Sequence, residues 1–311
     1  MTWSFSEYRI FRKCPRQWFY KAVFADARCK DPLRHEAYLL SKLQSIHAWR
    51  GQIVDSVLGN FVVADLNANR APMLAATLQH ARHLFDMQKD FAMRHRLREP
   101  GMSVSKAGPA FAAFSKVEYG ERIVDEEFDV AWKDVETALR NVWKLDDLRA
   151  RLRRGRYRVA QRNLLFELCG GKVRAVPDLI VFFPDLPPLI VDWKVHSFGV
   201  RDYGDQLATY AVALARTNPH SDFPRASHRY QAHEIELMEV QLLLGSIRTH
   251  ILLEQDIYAA QERIAEGIVA FELAYDGKSS SELRPEEFPT AENPQTCQTC
   301  SYRKLCWNQT P

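Results

Sequence analysis

The sequence predicts an α/β fold in which a long helical block precedes a small sheet. Three observations point there. Apolar residues recur at helical spacing through most of the first half; from Gly155 short β-branched and apolar runs alternate with turn residues; helical periodicity then returns between and after the strands.

Ser4 followed by Glu7 reads as a capping box opening an aromatic-rich helix, which Pro15 interrupts just after Cys14. From about Tyr38 to Ala68, Leu39, Leu43, Ile46, Trp49, Ile53 and Val57 keep helical spacing, and Pro72 precedes a second amphipathic stretch to about Arg98. Gly101 to Pro109 is the first clear loop, and the pattern from Phe111 to Arg153 is helical again. After YRVAQRNLLFEL comes the Gly170-Gly171 turn, and then VRAVPDLIVFF, PDLPP and LIVDWKV, a small sheet with tight connections. Asp202 to Thr217 is helical, IELMEVQLLLGS and the residues to Leu253 form a hairpin, and Glu254 to Tyr275 is a helix. A Pro-rich, acidic stretch from Glu282 to Pro294 leads into the last cysteines, and no internal repeat or low-complexity tract interrupts the chain.

With 311 residues, 46% hydrophobic and 26% charged, the chain can bury a core without disulfide staples. No apolar run approaches the ~18 residues of a membrane span, and the first residues lack the apolar stretch and cleavage site of a signal peptide, so a cytoplasmic location is expected. The net charge of +3 does not by itself indicate a nucleic-acid partner. Local clusters do more: Arg149, Arg151, Arg153, Arg154, Arg156, Arg158 and Arg162 fall in one segment, and Arg94, Arg96 and Arg98 in another. Such runs are either solvated faces or phosphate contacts.

The chemistry concentrates after Gly171. Asp178 and Asp192 fall on adjacent strands of the expected hairpin, and Lys194 shares a face with Asp192 because side chains two apart point the same way. Paired carboxylates repel unless a divalent cation sits between them, and such hard oxygen ligands suit Mg²⁺ or Mn²⁺. A nearby amine would orient or deprotonate water and offset charge at phosphorus. A lone D-x-K is far more often a pair of exposed strand charges. Here it is preceded by Pro177-Asp178 and followed by a helix whose Gln206 and Tyr210, four apart, project together.

The succession AVPDLIVFF, LIVDWKV and DQLATY resembles the motifs of the RecB-like branch of PD-(D/E)XK nucleases, over residues from about 166 to 210. The resemblance implies a restriction-endonuclease-like core, a mixed sheet flanked by helices, carrying a large helical insertion. Asp178, Asp192 and Lys194 would be the metal-binding and catalytic set, with the Trp193 carbonyl reaching the metal. Gln206 and Tyr210 would match the Q-x-x-x-Y motif that contacts DNA and supports the site. In that branch an upstream helix carries a glycine and, four residues on, a histidine ligand; this chain has Gly51-Gln-Ile-Val-Asp55, with aspartate at that position. Asp55 is the candidate ligand, and His47 and Glu36 stay open as alternatives.

Of the six cysteines, three stand as Cys297-x2-Cys300-x5-Cys306. Thiols so close read as metal ligands before disulfides, and Cys14 is the natural fourth, leaving Cys29 and Cys169 as structural thiols. Ligand chemistry does not separate zinc from iron-sulfur. The arrangement is similar to that of the iron-sulfur RecB-like nucleases, such as the AddB nuclease domain and the CRISPR-associated RecB-like exonuclease, and this similarity implies a 4Fe-4S cluster clamping the chain ends.

The expected organisation is residues 1–59 as N-terminal helices with one cluster cysteine, 60–154 as the helical insertion, 155–280 as the catalytic core and 281–311 as the cysteine segment. The expected function is a Mg²⁺- or Mn²⁺-dependent deoxyribonuclease, an exonuclease in repair or defence. Its partners would be DNA, as single strands or duplex ends, and a helicase or other repair or defence protein, with no membrane. The alternatives are a catalytically inactive DNA-binding subunit and a zinc-stapled interaction protein.

Overall fold

In the computed structural model, residues 2–97, 99, 103–196, 203–224 and 229–307 are described. Arg98, Gly101 and Asp202, which bound expected elements, lie outside them. The strands are β1 (Thr2–Trp3), β2 (Tyr157–Ala160), β3 (Leu164–Leu168), β4 (Gly171–Ala175), β5 (Leu179–Phe182), β6 (Leu189–Lys194), β7 (Glu236–Gln241) and β8 (Ser246–His250). They form a three-stranded sheet in the order β1-β4-β3 and a five-stranded sheet in the order β2-β5-β6-β7-β8. The chain divides into two units, each assembled from separated stretches: Met1–Thr2, His47–Phe85 and Asp125–Ala265 in the first, and Trp3–Ile46, Asp86–Val124 and Glu266–Pro311 in the second.

In the first unit, β5 and β6 form the expected hairpin, with Leu179 opposite Val191 and Ile180 opposite Ile190. β6 then pairs in parallel with β7, the one parallel pairing in a sheet that is otherwise antiparallel. A parallel pair needs a crossover, and the helix Gly204–Arg216 lies in that connection. The sheet is therefore mixed and flanked by helices, as expected. Leu189, Ile190 and Val191 are at most 1% exposed, so β6 is covered on both faces, which explains its unbroken apolar run. Cys169 and Gly170 have φ of 49° and 77°, the geometry of a tight hairpin turn joining β3 to β4. Cys169 is thus exposed at a turn and packs in no core, against the expectation of a structural thiol.

The helix Ile46–Val57 buries Trp49, Ile53 and Val57, one face at four-residue spacing. Trp49 lies 4.4 Å from Phe85 and 6.1 Å from Phe128, ring centre to ring centre, and Phe85 lies 5.4 Å from Trp132. The helical pattern expected from Tyr38 to Ala68 is broken between the helices Pro32–Leu40 and Ile46–Val57. The stretch expected from Phe111 to Arg153 breaks into Ser115–Glu118, Asp125–Lys144 and Asp146–Arg154; Gly120, at φ 73°, takes a left-handed conformation that a helix does not continue.

In the second unit, the Glu7 amide donates to Ser4 Oγ at 3.3 Å and caps the helix Phe5–Lys13. Trp18 stacks on Phe271 at 4.6 Å, Phe19 on Phe288 at 4.6 Å and Tyr20 on Tyr302 at 5.6 Å. The aromatic N-terminal run is thus the inner face against which C-terminal segments of the same unit pack. Among the described residues no helix is long and apolar enough to cross a membrane.

Candidate active site

Strand register assembles the site. Asp192 on β6 is paired with Glu239 on β7, and Glu239 with Arg248 on β8. Continuing the β5–β6 and β2–β5 registers by one residue aligns Asp178 with Asp192 and Gln161 with Asp178; the Gln161 amide donates to the Asp178 carbonyl at 3.1 Å. Gln161, Asp178, Asp192, Glu239 and Arg248 thus make one rung across the sheet, and residues directly opposite share a face. Lys194 and Gln241 form the same-facing pair two residues on.

The Trp193 amide donates to Asp178 Oδ2 at 2.8 Å, tying the loop-side aspartate to the D-x-K strand. Asp192 is fully buried, with the Lys194 ammonium paired to its Oδ2. Burial, then the charge of Asp192, then that of Asp55, holds the Asp178 carboxyl well above the usual range. Burial also raises Asp192, an effect that Lys194 opposes. On the Ile46–Val57 helix, Asp55 accepts from Gln161 Nε2 through Oδ2, and burial pushes its carboxyl up to about 6, with Asp192 adding to the rise. His47, about two turns earlier, is exposed, and Glu36 belongs to the second unit. The structure brings Asp55, Asp178 and Asp192 into one electrostatic group.

On the Gly204–Arg216 helix, Gln206 Nε2 donates to the Tyr210 hydroxyl at 2.5 Å and Lys194 Nζ lies 3.5 Å from Gln206 Oε1. Lys194 Nζ also sits 4.2 Å above the Tyr203 ring. Burial, and after it the charges of Asp192 and Asp178, raise the Tyr210 hydroxyl far above its ordinary value, so it stays a neutral hydrogen-bonding group. Arg50, 6% exposed, is paired with Asp134 and donates through Nη2 to the Val195 carbonyl at 3.2 Å, just past Lys194.

Do these side chains suit a divalent cation? Among the described residues, no three His, Cys, Asp or Glu side chains are gathered into a ready metal-binding group. The donor chemistry nonetheless fits. Asp55 Oδ1 and Asp192 Oδ1 are buried without a hydrogen-bond partner, and carboxyls whose charged form is disfavoured by burial gain most from a hard cation.

Sequence reasoning missed Gln161, Glu239 and Arg50. Glu239 is fully buried, accepts from Gln241 Nε2, and pairs with His250 at 3.0 Å and Arg248 at 3.5 Å. Only the alternation Glu236, Met238, Val240 against Leu237, Glu239, Gln241 hinted that a buried strand face carried polar groups.

The arginine run is mostly structural. Arg158 is 4% exposed and donates to the carbonyls of Leu66 and Arg153 at 3.2 and 2.8 Å, while Arg149, Arg151 and Arg162 pair with Asp146, Glu236 and Asp222. Arg153, Arg154 and Arg156 are exposed and available to a polyanion.

In the second unit Cys14, Cys297, Cys300 and Cys306 line a single cavity together with Arg16, Tyr20 and Tyr302. Cys14 ends one helix and caps the next, its Sγ accepting from the Gln17 amide at 3.4 Å. Burial pushes the Cys300 thiol up to about 11, with the neighbouring Cys14, Cys306 and Cys297 adding to the rise.

Comparison with known proteins agrees with this geometry at the level of family. The family described as the PD-(D/E)XK nuclease superfamily matches residues 2–307. No curated protein matches the chain in sequence. Among solved structures, a protein of Eubacterium rectale, whose assignment as an exonuclease is itself provisional, is 11% identical with a TM-score of 0.34, covering 91% of this chain and 93% of its own. SSO0001 is 12% identical with a TM-score of 0.30, covering 75% of this chain and 98% of its own. Likeness at that level carries no argument about the site.

Proposed function

Since the chain belongs to the PD-(D/E)XK nuclease superfamily, we propose that it is a Mg²⁺- or Mn²⁺-dependent deoxyribonuclease acting at DNA ends, with a structural 4Fe-4S cluster in its second unit. One observation carries the catalytic half. Burial raises all three carboxyls, the charge of Asp192 raises both Asp178 and Asp55, that of Asp55 raises Asp178, and the Lys194 ammonium is paired with Asp192.

Asp55, Asp178 and Asp192 would hold the cation, which supplies Lewis acidity toward a phosphate oxygen and toward water. Asp178, fixed by the Trp193 amide, and Asp192 set the floor of the site. The Lys194 ammonium, held between Asp192 and Gln206, orients water against phosphorus and offsets the charge that builds on the phosphate oxygens. Hydrolysis breaks one P–O bond, leaving a phosphate monoester on one product and a hydroxyl on the other. Gln206 and Tyr210 hold Lys194 from the helix side, Tyr210 as a neutral hydroxyl.

The test is cleavage of end-labelled single-stranded and duplex DNA with Mn²⁺ or with EDTA, for the wild type and for Asp192→Asn. Mn²⁺-dependent shortening from an end that Asp192→Asn abolishes is the expected result. DNA binding without metal and without products would move the assignment to an inactive binding subunit.

What supports the cluster is that the four thiols line one cavity, although among the described residues they are not drawn into a ready metal-binding group. Soft thiolates suit iron-sulfur and zinc alike, so anaerobic purification followed by metal analysis decides. About four irons per chain and a brown protein are expected, with both lost in Cys300→Ser. One zinc and no colour would replace the cluster with a tetrahedral ion.

A further inference from the structure

Gln161 connects two of the three aspartates and does so in a backbone conformation that glutamine seldom adopts. Its φ is 50°. The other described non-glycine residues with positive φ are Asn69, Cys169 and Asp276, of which Asn69 and Asp276 follow helix ends and Cys169 makes a hairpin turn. Asparagine and aspartate are the types that tolerate the left-handed region, and glutamine is not among them. At Gln161 the chain leaves β2, and its amide donates to the Asp178 carbonyl at 3.1 Å, extending the β2–β5 ladder by one step to that aspartate. From the same residue Nε2 donates to Asp55 Oδ2. Asp55 Oδ1 is left buried and without a partner. A single residue, held in an unfavourable backbone state, thus ties the helix-borne aspartate to the strand-borne one. Strain retained at such a place is a mark of function.

We propose that Gln161 is a positioning residue for the divalent cation: its amide fixes the Asp55 carboxylate so that the free oxygen faces the metal, and its backbone fixes how far Asp55 stands from Asp178. The inference rests on the assignment of Asp55 as a ligand. It assigns the residue the place that outer hydrogen-bond partners of metal ligands occupy, where substitution weakens metal affinity by roughly 10- to 100-fold.

Gln161→Gly separates function from folding, because glycine relaxes the left-handed backbone while removing the side-chain amide. Mn²⁺ binding to the full-length protein is measured by the electron paramagnetic resonance signal of free Mn²⁺, beside thermal unfolding in EDTA and cleavage at saturating Mn²⁺. Gln161→Gly should unfold no earlier than wild type, bind Mn²⁺ roughly ten-fold more weakly, and recover most of kcat at saturating metal. Asp55→Ala is the reference. Wild-type Mn²⁺ affinity in Gln161→Gly, with binding impaired in Asp55→Ala, would overturn the role of Gln161 and leave the cation site standing. Wild-type affinity in Asp55→Ala would remove Asp55 from the site, and the inference with it. Earlier unfolding of Gln161→Gly would show that the glutamine serves the fold.

Discussion

Asp55→Asn should make the metal-free protein more stable and the metal-bound protein less so. Burial lifts the Asp55 carboxyl from 3.8 to about 6, so the native state holds this proton more tightly than the unfolded chain does. A raised carboxylate therefore costs nothing well below pH 4, costs more as pH rises between the two values, and costs the full amount above pH 6. At 1.36 kcal/mol per unit, a shift of that size is about 2–3 kcal/mol. Asparagine keeps an oxygen for Gln161 and removes the charge. In EDTA at pH 8, urea unfolding should show the variant about 2–3 kcal/mol more stable than wild type, shrinking to under about 1 kcal/mol at pH 4. With Mn²⁺ at about a thousand times the wild-type Kd the order reverses, because ligand at that level adds about 4.1 kcal/mol to a native state that binds it. A variant no more stable at pH 8 in EDTA, or equally stabilised at both pH values, would refute the burial argument.

Other perturbations follow from the same contacts. Lys194→Ala removes the ammonium paired with Asp192, and cleavage at saturating Mn²⁺ should fall by roughly 10²-fold or more while Mn²⁺ still binds. Arg50→Ala strands the Asp134 carboxylate and frees the Val195 carbonyl; urea unfolding should report a loss near 3 kcal/mol, the low end for a broken buried pair because Asp134 is 25% exposed. In the helix Glu254–Tyr275, Gly267→Ala would ordinarily gain up to about 1 kcal/mol, but the added methyl runs into the Trp3 indole, and a net loss of about 2 kcal/mol in urea is expected. Trp49→Ala empties the space against Phe85 and should cost about 3–5 kcal/mol by the same measurement.

Much of this molecule was legible from local pattern. The helix from Glu254 to Tyr275, the β5–β6 and β7–β8 hairpins and the i, i+4 pairing of Gln206 with Tyr210 all follow from periodicities of two and 3.6, which each stretch carries within itself. The D-x-K spacing put Asp192 and Lys194 on one face of a strand for the same reason. What no local pattern carries is register between strands far apart in the chain. That Asp192 lies opposite Glu239, and Asp178 opposite Gln161, is settled by which neighbours β6 and β5 accept in the sheet. The placement of Asp55 beside them depends on the buried face of its helix, Trp49, Ile53 and Val57, finding its partners. That Cys14 lines the same cavity as Cys297, Cys300 and Cys306 likewise depends on aromatic packing of Trp18, Phe19 and Tyr20 against Phe271, Phe288 and Tyr302. Residue types and their spacing determined the chemistry available; the distances at which it operates were decided by burial of apolar faces from separate segments, an energy that exists only once the whole chain has packed.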